Sequence, residues 1–226
     1  MNRSVLLREL ATRITQIEWT HPVRVAIDGV DAAGKTTLAE ELVPYLESMH
    51  RPVIRASIDG FHNPASVRYA RGKLSPQGYY LDSFNYNALL KFLLDPLGPA
   101  GTLKYTPQVF DYRADREIHH QLISAAPNAV LLFDGVFLLR PELAGHWDFS
   151  VFVDATLEVT LERARERDLN LFGSDDDVLR QYEQRYIPGQ KKYFVECQPK
   201  ERASVIIDNN DPNNPVIVTT SIQLNP

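Results

Sequence analysis

Cysteine is nearly absent: Cys197 is the only one in 226 residues. No intrachain disulfide can form, and a cysteine-based zinc site is excluded. Also missing is any apolar run near the roughly 20 residues that cross a membrane. The opening stretch 1–9 meets charge at Arg3, too early for a secretory leader. Nor is there an excess of positive charge. Lys and Arg number 24 against 29 Asp and Glu, a net charge of −5. That balance argues against a nucleic-acid partner, because phosphate backbones demand a basic surface. Internal repeats, linkers and low-complexity tracts are missing too. The expectation is a cytoplasmic, reduced chain with no membrane or nucleic-acid partner and with homo-oligomers left open. It is long enough to bury the core of a single α/β domain over 1–226.

What is present centres on 29–37, Gly-Val-Asp-Ala-Ala-Gly-Lys-Thr-Thr. It fits G-x-x-x-x-G-K-[ST], the phosphate-cradling P-loop. An apolar segment at 23–28 precedes it, and Leu38, Leu42, Tyr45, Leu46 and Met49 follow at helical spacing. That strand–loop–helix context is the one in which the motif has meaning. Its glycines let backbone N–H groups turn inward as an anion nest, and the helix adds its positive end. The Lys35 ammonium reaches the β and γ phosphates, and the Thr36 hydroxyl can hold Mg²⁺. Gly29, Asp31, Ala32, Ala33, Gly34, Lys35, Thr36 and Thr37 are the nucleotide-binding candidates.

The remaining pattern alternates strands and helices. A helix is expected over 4–17 and further strands over 53–58, 129–133, 149–153 and 205–207, with 216–218 as an edge strand. Helices are expected over 83–94 (capped near Asp82 or Ser83), 115–125 and 156–168. A further helical region over 175–197 is broken at Pro188-Gly189. Residues 61–80, rich in Tyr, Arg, Gly and Pro, show weak periodicity. Segment 103–112 reads as a short strand pair or an extended insert. Strands of nearly all apolar residues point to a parallel sheet covered on both faces. The tract 175–177 is all Asp and reads as helix-capping chemistry behind Ser174.

Each of the main strands ends in Asp, and ligands bind at the carboxyl ends of parallel strands. Aspartate suits turns, which accounts for Asp28, Asp154 and Asp208. Asp59 and Asp134 follow strands expected to flank the P-loop. Asp134 stands at a Walker-B-like exit and joins Thr36 as a metal-holding candidate. Asp59 is the candidate base for an attacking hydroxyl, with Lys35 as its catalytic partner. His62, three residues on, faces the same pocket in this reading. Arg163 and Arg167, four apart, share a helix face and can supply cations over a transferred group, unless that face is a solvated, salt-bridged one.

Taken together, the P-loop, Ser57–His62, Phe110-Asp111-Tyr112, Leu132–Val136, and Val153-Asp154 followed by the arginine helix resemble the uridine kinase and phosphoribulokinase family over about residues 22–210. The resemblance implies a nucleoside-monophosphate-kinase-like, three-layer fold with a five-stranded parallel sheet and a helical lid. It also implies ATP with Mg²⁺ as donor and a small hydroxylated acceptor. It implies that Asp59 is the catalytic aspartate, that Asp82 binds ribose hydroxyls, and that Phe110 and Tyr112 contact a base. Phe61 and His62 join them as substrate-side candidates, within an acceptor insert over about 61–112. Arg163 and Arg167 match lid arginines, with a lid region over about 168–190. Gly60-Phe61-His62 replaces the Ser-Phe-Tyr of uridine kinases and also occurs in sugar and pantothenate-type kinases. The expected reaction is γ-phosphate transfer to the 5′-hydroxyl of uridine or cytidine. Phosphorylation of a sugar, pantothenate or another vitamin-like alcohol is the alternative, and a non-kinase nucleotide switch is the remaining class.

Overall fold

A computed structural model describes residues 2–119 and 121–218. In chain order, α1 is Arg3–Thr15, β1 Val23–Gly29, α2 Lys35–Ser48 and β2 Val53–Ser57. Then come α3 (Ala65–Arg68), α4 (Pro76–Asp82), α5 (Tyr86–Leu89) and four short strands: β3 (Lys104–Tyr105), β4 (Phe110–Asp111), β5 (Arg116–Glu117) and β6 (Ile123–Ser124). The second half holds β7 (Val130–Asp134), α6 (Pro141–Ala144), β8 (Phe149–Asp154), α7 (Leu157–Phe172) and α8 (Asp175–Gln181). It closes with α9 (Ile187–Cys197), α10 (Pro199–Arg202), β9 (Val205–Asp208) and β10 (Val216–Val218). Residues 219–226 at the end of the Asn/Pro-rich tail lie outside the described residues.

The central sheet has the order β10-β9-β8-β1-β7-β2. All neighbours are parallel except β10, which pairs antiparallel with β9. Alternate residues along each strand go to opposite faces. Val25, Ile27, Leu132, Val151 and Ile207 pack with Leu6, Leu10, Leu38, Leu42 and Leu46 of α1 and α2. Ala26, Leu131, Phe133, Phe152 and Ile206 pack with Leu89, Leu93, Phe137, Tyr193 and Cys197 on the other face. The all-apolar strands are therefore the middle layer of three. Register places Asp134 opposite both Ile27 and Ser57, so the exits of β1, β7 and β2 form one edge.

Local chemistry sets the helix ends. The Asn2 side chain accepts from the Ser4 N–H, the Ser174 hydroxyl from the Asp177 N–H, and Thr156 caps α7. Asp175, Asp176 and Asp177 occupy the first turn of α8, where negative charge meets the helix dipole.

Three expectations are corrected. Residues 115–125 do not form a helix: β5 pairs with β4, and β6 with β3, in two antiparallel ribbons. Asp115 adopts φ 48°, which breaks a right-handed helix at its start, and Arg116, Glu117, Ile123 and Ser124 are all exposed. Without a buried stripe, helix propensity gives way to backbone pairing. The helix expected from 83 begins at Tyr86, with the Asn85 side chain accepting from the Ala88 N–H, and widens to a π turn over Leu90–Leu94. Asp82 instead ends α4, so 61–80 holds two short helices. Finally, Pro188-Gly189 does not break the last helical region. A π turn over Tyr182–Tyr186 joins α8 to α9, and Pro188 follows it as the second residue of α9.

At the end of β1, Asp28 is fully buried. Its oxygens accept the Gly29 N–H at 2.7 Å, the Leu139 N–H at 3.1 Å and the Tyr193 hydroxyl. Burial pushes its pKa up to about 6 against the opposing pull of these bonds and of Lys35. A raised carboxyl pKa contributes stability below the unfolded value that is lost as pH rises through the folded one. Relative to Asp28→Asn, the wild type should therefore lose about 3 kcal/mol of unfolding free energy between pH 3 and pH 7. Chemical denaturation of both proteins across that range measures it.

Candidate active site

The chain leaves β1 through a backbone that admits no side chain. A Cβ on Gly29 would lie 2.3 Å from the Val153 carbonyl oxygen of the neighbouring strand. Gly34, at φ 98°, precedes the first residue of α2, and a Cβ there would meet the Asn209 amide at 2.6 Å. That amide donates to the Ala33 carbonyl at 2.7 Å, so the loop after β9 braces the P-loop from outside. Ala32 takes φ 58°. Together these turns aim the loop's backbone at the N-terminal end of α2, an anion-binding arrangement. Ala32 and Ala33 are buried, and Thr37 is exposed on the first helical turn. Lys35 is buried and donates to the Val30 carbonyl at 2.6 Å. Burial lowers its pKa, opposed by Asp31 and Asp28.

Thr36 and Asp134 meet as expected: the Thr36 hydroxyl donates to Asp134 Oδ2 at 2.6 Å. Asp134 is buried at the end of β7. Its other oxygen takes a residue that sequence reasoning missed. Arg55, on edge strand β2, donates to Asp134 Oδ1 at 2.8 Å and to the Leu132 carbonyl at 2.5 Å. The signal was there: a lone charge inside an apolar strand. A hydroxyl and a carboxylate are hard oxygen donors, so Thr36 and Asp134 fit Mg²⁺.

Asp59 follows β2 on a single 3₁₀ turn, Ile58–Phe61. Its side chain is 58% exposed, within reach of a ligand, and its Oδ1 lies 3.4 Å from His62 Nε2. Partial desolvation raises its pKa, but the His62 hydrogen bond and charge, then Lys35 and Arg167, outweigh that and hold it below the usual carboxylate range. His62 is fixed from behind: Nδ1 lies 3.0 Å from the Ser83 carbonyl, and the ring packs between Phe84 and Tyr112 at 4.6 and 4.9 Å.

Asp59 opens onto a cavity of about 480 Å³ that Arg55, Gln108, Phe110, Asp111, Tyr112 and Arg113 also line. Phe110 and Tyr112 thus share this cavity with Asp59. Phe61 does not: it is fully buried against Phe133, under the floor, and its role as a substrate contact is corrected to a packing one. Asp82 is not among the lining residues, and its carboxylate pairs with Arg71 at 2.8 Å. Arg113, missed in the sequence, donates to the Tyr112 hydroxyl at 3.3 Å.

The two helix arginines have different partners. Arg163 donates to the Asn209 and Asn210 carbonyls at 2.9 and 3.1 Å, bracing the loop that holds Ala33. Arg167 forks onto Asp168 at 2.7 and 2.9 Å, and its charge is felt at both Lys35 and Asp59. The Asp31 Oδ2 accepts from the Tyr79 hydroxyl and the Gln190 amide, both at 2.6 Å.

Comparison with known proteins bears on the family and the fold. A sequence model of the phosphoribulokinase / uridine kinase family matches residues 25–214. A uridine kinase of Proteus mirabilis is 31% identical over 206 residues, covering 85% of this chain and 90% of that protein. A pantothenate kinase of Streptomyces coelicolor is 28% identical over 180 residues, covering 72% of this chain, which spans 54% of that protein's length. Among solved structures, a possible uridine kinase from Bacillus stearothermophilus superimposes with a TM-score of 0.71 at 22% identity, covering 90% of this chain and 97% of that one. A D-glycerate 3-kinase from Cryptococcus neoformans gives 0.62 at 12% identity, covering 96% and 97%. At such identities the structures share the fold.

Asp134 and Arg55 form a half-buried ion pair, with side-chain exposures of 4% and 28%. Arg55→Leu leaves the carboxylate without its counter-charge. Discounted for the exposure of the guanidinium, the loss is about 2 kcal/mol, read as a lower urea midpoint at pH 7.

Proposed function

The chain belongs to the phosphoribulokinase / uridine kinase family and is a P-loop kinase acting on an alcohol group, and on that premise we propose that it phosphorylates the 5′-hydroxyl of a pyrimidine nucleoside with ATP. The observation that carries this reading is Asp59: an accessible carboxylate at a strand exit beside the P-loop, opening on a cavity with aromatic walls. Residues 1–226 form one kinase domain in this reading, with an acceptor insert over about 61–112 and a lid over about 168–190.

Phosphoryl transfer is chiefly positioning and charge neutralisation. The backbone of 29–34 cradles the phosphates, and Lys35 places its ammonium at their far end. Thr36 and Asp134 would hold Mg²⁺, which when bound offsets phosphate charge. Asp59, kept ionised by its neighbours, takes the proton of the attacking hydroxyl or orients it. His62 fixes the carboxylate, Tyr112 stacks on the acceptor, and Arg167 adds positive field over the transferred group. The setting is cytoplasmic.

A second reading has its own observations. The Asp82 carboxylate, which the nucleoside reading needs for ribose hydroxyls, is tied to Arg71. Arg113 and Arg55 line the cavity. Those facts suit an alcohol carrying a carboxylate or phosphate, such as pantothenate or a sugar acid.

Incubation with ATP, Mg²⁺ and a panel of uridine, cytidine, sugars, sugar acids and pantothenate separates the readings. Uridine or cytidine should drive ADP release well above the rate without acceptor. Faster release with an anionic alcohol selects the second reading, and one slow rate regardless of acceptor overturns both. Asp59→Asn should keep nucleotide affinity and lose about 10²–10⁴-fold in turnover. Near-normal turnover removes Asp59 from the chemistry.

A further inference from the structure

Asp31 occupies a variable position of the phosphate motif, yet its carboxylate serves no loop amide. It takes two short hydrogen bonds from residues far away in sequence, the Tyr79 hydroxyl on α4 and the Gln190 side chain on α9. Both donors are buried, at 6% and 8% exposure, so water does not readily replace either bond.

Those two helices are themselves locked together. Arg185, on the π turn before α9, is 3% exposed and donates to the carbonyls of Arg68, Gly72, Lys73 and Ser75. A single guanidinium thereby satisfies the loop between α3 and α4. Its Cζ lies 5.1 Å from the Tyr69 ring centre and 5.6 Å from that of Tyr79. Tyr79 packs on Tyr186 at 4.8 Å. Gly189 lets the helices close, since a Cβ there would sit 2.7 Å from Tyr79 Cδ1. A joint with this many directional contacts shifts as one piece rather than deforming.

We propose that Asp31 is a positioning residue that fastens residues 65–82 and 182–197 to the P-loop as one body, coupling phosphate occupancy of the loop to the order of residues 65–82. This rests on reading the loop as the nucleotide phosphate site. The carboxylate belongs to the loop whose amides take up the phosphates, so any settling of that loop moves the anchor of both helices. Its charge also acts on Lys35, which ties the latch to the group that meets the phosphates. Coupling of this kind is reciprocal: a ligand that orders 65–82 tightens nucleotide binding by the same factor.

Hydrogen exchange on the intact protein, with and without the non-hydrolysable nucleotide AMP-PNP and Mg²⁺, tests the latch without knowledge of the acceptor. In the wild type the nucleotide should slow exchange across 65–82 by about fivefold or more. Tyr79→Phe removes one hydroxyl and keeps the ring packing, and Gln190→Met keeps the length of the side chain. In each, the slowing at 65–82 should fall at least by half while AMP-PNP still binds by calorimetry. A purely structural hydroxyl would speed exchange equally in both states and leave the ratio unchanged, which overturns the proposal. Nucleotide binding without slowing in the wild type overturns the coupling alone. Failure of AMP-PNP to bind the wild type overturns the nucleotide site and the coupling together.

Discussion

The site hangs on the closeness of β1 to its neighbours at the point where the chain turns into the P-loop. Gly29 passes so near the Val153 carbonyl that no Cβ fits. One residue earlier, the Asp28 carboxylate is sealed from water and must find every partner inside the protein. It finds them in Gly29, in Leu139 after β7, and in Tyr193 on α9. A buried carboxylate is costly unless its oxygens are satisfied. The loop, the sheet edge and the last long helix are therefore held in one arrangement.

Asp31 repeats the device two residues into the turn. One strand exit and one loop position thus connect the sheet to both helical additions that cover it. Asn209 and Arg163 brace the same loop from the β9 side. The result is a rigid donor half, with its phosphate nest fixed by backbone geometry. The cavity onto which Asp59 opens is walled differently, by the end of β2, the 3₁₀ turn after it and the β4–β5 ribbon.

Much of this was legible in the chain. The strand-loop-helix context of 23–50, the apolar strands at 130–134 and 149–154, and the capping at Ser174 all follow from local rules. So does the meeting of Thr36 with Asp134, because parallel strands flanking β1 must end at the same edge. Residues 115–125 were not legible: their pattern suits a helix, and only the pairing of 104–111 with them makes ribbons. Phe61 was misplaced for a related reason. Its position two residues after Asp59 says nothing about which side of the 3₁₀ turn faces the core.

The nucleotide-binding nest, the layered α/β order and the carboxylates at the strand exits are written locally, because each depends on residues close along the chain or on a strict period. Tertiary structure alone decided which charges meet. Arg55 reaches Asp134 across 79 positions, Arg185 reaches Ser75 across 110 and Gln190 reaches Asp31 across 159. No local pattern encodes a partner at that separation. The P-loop announces itself in nine residues, but the body that it steers exists only once the sheet has brought α4 and α9 against it.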